Sequence, residues 1–232
     1  MWKVTLHDSA RSHKMITSYN RIAGQSVERL AALSDGIFGV AMTLLAIELH
    51  VPARELIHHE RELRQALLAI SPELLVYLMS FLTLAIFWVG QQSQLNHLRR
   101  SDIRLTWIHL AFLFAVTLMP FSTKLLAAHH SYRTALLEYW GNVLIFGVML
   151  YASWGYATRA ALIKDDIPPE VPAAVCRRII IGQSWYAFGA VLCFFSTYLS
   201  MLVIISVQLF YILSPWLRLP NTEDAPTPTD NP

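Results

Sequence analysis

The run Arg29-Leu-Ala-Ala-Leu-Ser-Asp-Gly-Ile-Phe-Gly-Val-Ala-Met-Thr-Leu-Leu-Ala-Ile-Glu48 places an arginine, an aspartate and a glutamate in or beside one apolar stretch. Charge near the centre of a bilayer costs a few kcal/mol even on lenient insertion scales, so ionisable side chains in such a stretch face a bundle interior or a water-filled path. Arg29 and Asp35 stand six residues apart, about 240° around a helix axis. They do not share a face, and each needs a partner on another helix or another subunit. A second set does share one. Gly36, Val40, Thr43 and Ile47 follow at spacings of 4, 3 and 4, a single line up a helix. Small, branched and hydroxyl side chains along one line suit close helix packing or a narrow pore, and spacing alone favours packing. Gly36 and Gly39 admit close backbone approach, as small residues do at membrane-helix contacts.

The elements that must carry these residues follow from composition. Of 232 residues 55% are hydrophobic and 15% charged, with mean hydropathy +0.42, whereas a soluble domain carries about 25% charge. A spanning helix needs roughly 20 apolar residues, so the chain has room for six spans and short loops but none for a soluble catalytic domain. A net charge of +2 is too small to imply a nucleic-acid partner. The sequence therefore predicts an all-α integral membrane protein with six transmembrane helices. Apolar segments cover 30–49, 74–89, 105–119, 139–157 and 179–217. Pro120 is expected to stop the third. The last is too long for one span and divides at Ser196–Thr197 into two short helices. Ser71-Pro72-Glu73 reads as an N-cap, a first-turn proline and an early acid. Pro168, Pro169 and Pro172 punctuate the loop before the fifth helix, and residues 53–70 read as an amphipathic external helix. Cys176 and Cys193, if they share one helix, lie about 25 Å apart and cannot pair.

Residues 1–28 are polar and basic, with no run long enough for a signal-peptide core, so the first span is expected to act as the targeting signal. The six-helix unit is expected over 29–217. The remaining stretch, 218–232, is rich in Pro, Thr and Asp and is expected to be disordered. Alternate loops, starting with the N-terminal segment, hold 13 lysines and arginines against 5 on the other side, which places both termini in the cytoplasm. Trp107, Trp140, Trp154 and Trp216 fall near predicted helix ends, where amphipathic rings favour the interface.

The segment Arg29-x-x-x-Leu33-Ser34-Asp35 resembles the RxxxFSD signature of the transmembrane protein 175 family, the endosomal and lysosomal potassium channels with bacterial relatives; Leu33 stands where the family has Phe. The runs TLLAIELHVP (43–52), YLMSFLTLAIFW (77–88) and PFST (120–123) resemble the family's continuation and its second and third helices, so the likeness covers roughly residues 25–125. The family often has a His three residues after the tryptophan that is Trp88 here; this chain has Gln91, which hydrogen-bonds but cannot become a cation. The resemblance implies a homotetramer with the first helix of each subunit lining a pore that has no TVGYG filter, and the sequence contains no such run. By position, Val40 is the implied constriction and Ile47 a second apolar ring. Thr43 is the implied hydroxyl layer and a transient K⁺ site, and Gly36 and Leu44 line the path. Arg29, Ser34, Asp35, Trp88 and Gln91 are the implied structural motif. Four apolar side chains around an axis can stop ions by dewetting, and four hydroxyls can replace part of a K⁺ hydration shell. The implied setting is a prokaryotic plasma membrane, with K⁺, the lipid bilayer and identical subunits as partners and no cofactor.

The remaining signals are weaker. His58-His59 and His129-His130 are adjacent pairs whose side chains diverge by about 100° on a helix, which suits solvated loops better than a metal site. His109 can line a polar path or sit hydrogen-bonded in the core. Thr117, Ser122 and Thr123 are placed to satisfy carbonyls freed by Pro120. A secondary transporter, with inverted repeats or helices broken at mid-membrane, and a proton-permeable leak are the alternatives to a channel. An enzyme would need convergent catalytic pairs such as HExxH in the spans, and the sequence has none.

Overall fold

A computed structural model describes residues 26–47, 49, 51–52 and 57–217. The expectations for residues 1–25, Glu48, 218–232 and the Trp216 side chain lie outside the described residues. The described chain is all helical: α1 Val27–Ile47, α2 Glu60–Ala69, α3 Ser71–Asn96, α4 Ile103–Ala128, α5 Arg133–Arg159, α6 Val171–Val191, a 3₁₀ turn Leu192–Phe194, and α7 Thr197–Leu217. Among the described residues, α1, α3, α4 and α5 are long and apolar enough to cross a membrane, and α7 contributes a shorter apolar stretch.

Several boundaries differ from the sequence expectation, each for a local reason. The third apolar segment does not stop at Pro120; α4 runs through it to Ala128. Packing along α5 holds the helix on both sides of the proline. Thr117 and Thr123 donate to the Phe114 and Met119 carbonyls (2.7 and 2.8 Å), not to that of Val116, and Ser122 turns away to donate to Glu138. Ser71 is not an N-cap: it is the first residue of α3, follows Ile70, and its hydroxyl donates back to the Leu68 carbonyl. Of the amphipathic helix predicted over 53–70, residues 53–56 lie outside the described residues, and 57–59 are not helical. The helix starts at Glu60, with the Glu62 carboxylate accepting from the His58 and His59 backbone N–H groups, and it buries no residue. α6 begins at Val171, eight residues before the apolar stretch, with Pro172 in its first turn. The division at Ser196–Thr197 coincides with the 3₁₀ turn and the start of α7.

Two packing units meet along α3. α1 lies on α3 and α4, while α7 lies on α3 and α6, and α5 joins α4 to α6. An aromatic chain crosses the bundle from Phe38 through Phe112, Phe146 and Phe87 to Tyr186, with successive ring centroids 5.9, 6.0, 5.1 and 6.3 Å apart, the separations at which edge and tilted ring pairs attract. The α6–α7 contact is close at Gly189, where a Cβ would meet Ile204 at 2.6 Å. Trp154 does not sit at an interface. It is 1% exposed and donates its Nε1–H to the Pro172 carbonyl (3.1 Å), tying the first turn of α6 to the core. At the same end the antiparallel bridge Leu98–Ile163 and the Arg99–Asp165 ion pair (2.7 Å) join the α3–α4 and α5–α6 connections.

Candidate ion pathway along the first helix

α1 has two unlike faces. Leu30, Ser34, Phe38, Ala41 and Leu45, at spacings of 4, 4, 3 and 4, are buried against α3 and α4. The opposite face carries Gly36, Val40, Thr43, Leu44 and Ile47, all exposed to the outside of the subunit; Val40 is 59% and Ile47 75% exposed. A Cβ built on Gly36 or Gly39 meets nothing within 4 Å. Among the described residues, no other helix covers this line. The Thr43 hydroxyl donates to the Val40 carbonyl (2.8 Å), which leaves its oxygen lone pairs directed away from the helix and able to accept or to ligate a cation.

Hydrogen bonds on the buried side fix how α1 is rotated. Ser34 is fully buried; its hydroxyl donates to the Leu30 carbonyl (2.8 Å), accepts from Gln91 Nε2 (3.0 Å), and lies 2.7 Å from His109 Nε2. Asp35 accepts from Trp88 Nε1 (2.8 Å) and from Gln92 Nε2. Helices α1, α3 and α4 are thus pinned at one level by the motif, and the structure brings Ser34, Asp35, Trp88 and Gln91 together. Arg29 does not join them: its guanidinium is exposed and meets no carboxylate among the described residues.

Two contributors were not singled out as site residues from sequence. Gln92, adjacent to Gln91, is the second donor to Asp35. His109 supplies an imidazole to Ser34 from α4, and it is the hydrogen-bonded core histidine of the two readings the sequence left open. An ionisable residue within an apolar span is the signal that could have promoted it.

The family described as the endosomal/lysosomal potassium channel TMEM175 matches residues 29–120, the part of the chain that holds α1, α3 and the α4 segment up to Pro120. A protein from Chamaesiphon minutus named as a potassium channel is 29% identical over 80% of this chain and 93% of its own length. One from Streptomyces collinus, also named as a potassium channel, is 28% identical over 79% of this chain and 90% of its own length. Among solved structures, a lysosomal potassium-selective channel TMEM175 homologue from Chamaesiphon minutus superposes with a TM-score of 0.70 at 27% identity, covering 81% of this chain and 97% of that one.

Proposed function

Because the chain belongs to the TMEM175 family, whose members are ion channels and not enzymes, we propose that it is a multi-pass membrane cation channel that prefers K⁺ and conducts passively through a central pore. Four subunits surround the pore, each contributing α1. Val40 forms the constriction, Ile47 a second apolar ring, Thr43 the hydroxyl layer, and Gly36 and Leu44 the remaining lining. α6 and α7, with 21 residues each, reach about 30 Å at 1.5 Å per residue, enough for the hydrocarbon core. They complete six spans, with both termini on the cytoplasmic side of a prokaryotic plasma membrane.

The observation that carries this reading is the open face of α1. A helix pinned through Ser34 and Asp35 on one side leaves Val40 and Ile47 with no cover from the described residues of its own chain. A ring of four such faces gives those side chains symmetry mates across a narrow path, where apolar rings gate by dewetting. The Thr43 lone pairs then converge as a weak-field cation site, which favours the more easily dehydrated K⁺ by a modest margin. Purified protein in liposomes tests the whole reading. A K⁺ gradient is expected to collapse without a coupling ion, in a detergent complex with the mass of four chains. Flux that requires a Na⁺ or H⁺ gradient would make the protein a transporter, and a monomeric complex would remove the shared axis.

A further inference from the structure

On the side of α3 away from α1, a groove of about 750 Å³ opens between α3, α6 and α7, within the roughly 300–1,000 Å³ typical of ligand sites. Its wall is largely apolar and includes Ile86, Phe87, Ile181, Trp185, Val207 and Phe210. Arg178 is the charged residue of its lining. Arg178 and Tyr211 stand at one point of the lining, the guanidinium donating to the phenol oxygen and lying 4.8 Å from the ring centroid. Arg178 lies seven residues into α6, about 10 Å along the helix from the end that carries the Arg99–Asp165 pair and the other basic loop residues. Among the described residues it has no carboxylate partner.

Further along the two helices the wall carries Gln183 and Gln208. Both amides are held by the protein: Gln208 is 1% exposed and commits Nε2 to Met79, Thr83 and Tyr186, and Gln183 donates to the Val143 carbonyl. That leaves Arg178 as the charged group of a largely apolar lining, which fits an occupant anionic at one end and apolar beyond.

We propose that this groove is a binding site for an anionic glycerophospholipid of the surrounding leaflet, with its phosphate on Arg178. One acyl chain runs along Trp185, Phe87 and Ile86. A guanidinium presents a planar fork that matches phosphate oxygens two at a time, and basic pockets between membrane helices at the cytoplasmic end recognise anionic headgroups. The site lies away from the α1 face and does not depend on which ion that face conducts.

Native mass spectrometry of the detergent-purified protein, titrated with phosphatidylglycerol and with phosphatidylcholine, tests the assignment. Phosphatidylglycerol is expected to bind about fivefold more tightly, the factor one arginine contributes near an anionic lipid, and Arg178→Gln is expected to erase that preference. Gly182 lines the groove, and a Cβ there meets nothing within 4 Å. Gly182→Leu should therefore fold normally, project into the groove and weaken the binding of both lipids. Equal binding of the two lipids by the unaltered protein would overturn the proposal, as would wild-type lipid retention in Gly182→Leu. Displacement of phosphatidylglycerol by soluble glycerol 3-phosphate alone would show a free-anion site instead and overturn it too.

Discussion

The two faces of α1 share one backbone but differ in what constrains them. The buried face is satisfied within the subunit: Phe38 fits between α3 and α4 with its ring 5.9 Å from Phe112, and Ser34 is bonded to three groups. The open face is covered by none of the described residues, although Val40, Leu44 and Ile47 are as apolar as the residues opposite. Hydrophobicity therefore does not sort this helix. Hydrogen-bonding anchors at Ser34 and Asp35 set its rotation, and the rotation decides which apolar side chains pack and which remain uncovered. Substitutions on the two faces should accordingly fail in different ways.

The largest effect is expected on the buried face. Phe38 is 1% exposed and begins the aromatic chain through Phe112 and Phe146, so Phe38→Ala removes a ring from a closed site and should cost about 3–5 kcal/mol. Chemical denaturation of the purified protein in detergent reads this directly. A loss below about 1 kcal/mol would mean that the α1 contact with α4 is not a cohesive core, and the comparison would collapse. On the open face, Val40→Ala trims two methyl groups from each subunit without touching that core. It should leave the denaturation midpoint unchanged and raise conductance several-fold in bilayer recordings, since dewetting depends steeply on the width and polarity of an apolar ring. Unchanged currents would remove Val40 from the constriction.

How far the sequence foretold this arrangement varies with the range of the interaction. The apolar runs, the division at Ser196–Thr197 and the need of Asp35 for a partner on another helix follow from length, charge and local chemistry. The passage of α4 through Pro120 does not, because the restraint comes from α5, which is remote from the proline's own neighbours in sequence. The same holds for Trp154, where an interfacial ring and a core ring look alike until Pro172 is seen to accept its N–H. Ser71 failed as a cap because its hydroxyl found the Leu68 carbonyl behind it. At the site, Gln91 reads as the loss of an imidazole, yet α4 brings His109 to the same serine from 75 residues further along the chain. No spacing within one helix encodes that meeting. The open line of Gly36, Val40, Thr43 and Ile47 was legible as a line, but whether it packs or faces outward depended on the rotation set by Ser34, Asp35, Trp88 and Gln92.

The smallest expected effect sharpens the comparison most, because it alters chemistry with almost no change of shape. Thr43→Val replaces the hydroxyl with a methyl of similar size on an exposed position, so neither stability nor pore width should change. The lost groups are the oxygen lone pairs, which the bond to the Val40 carbonyl leaves directed outward. Reversal potentials under bi-ionic K⁺ and Na⁺ conditions should shift toward Na⁺, with the permeability ratio falling by less than about tenfold, the scale of one weak coordination layer and not of a carbonyl filter. If conductance fell while the ratio held, Thr43 would be acting through hydration of the path and not through selection of the ion. If neither moved, the hydroxyl would face lipid or a neighbouring helix, and the open side of α1 would be an assembly surface in place of a pathway.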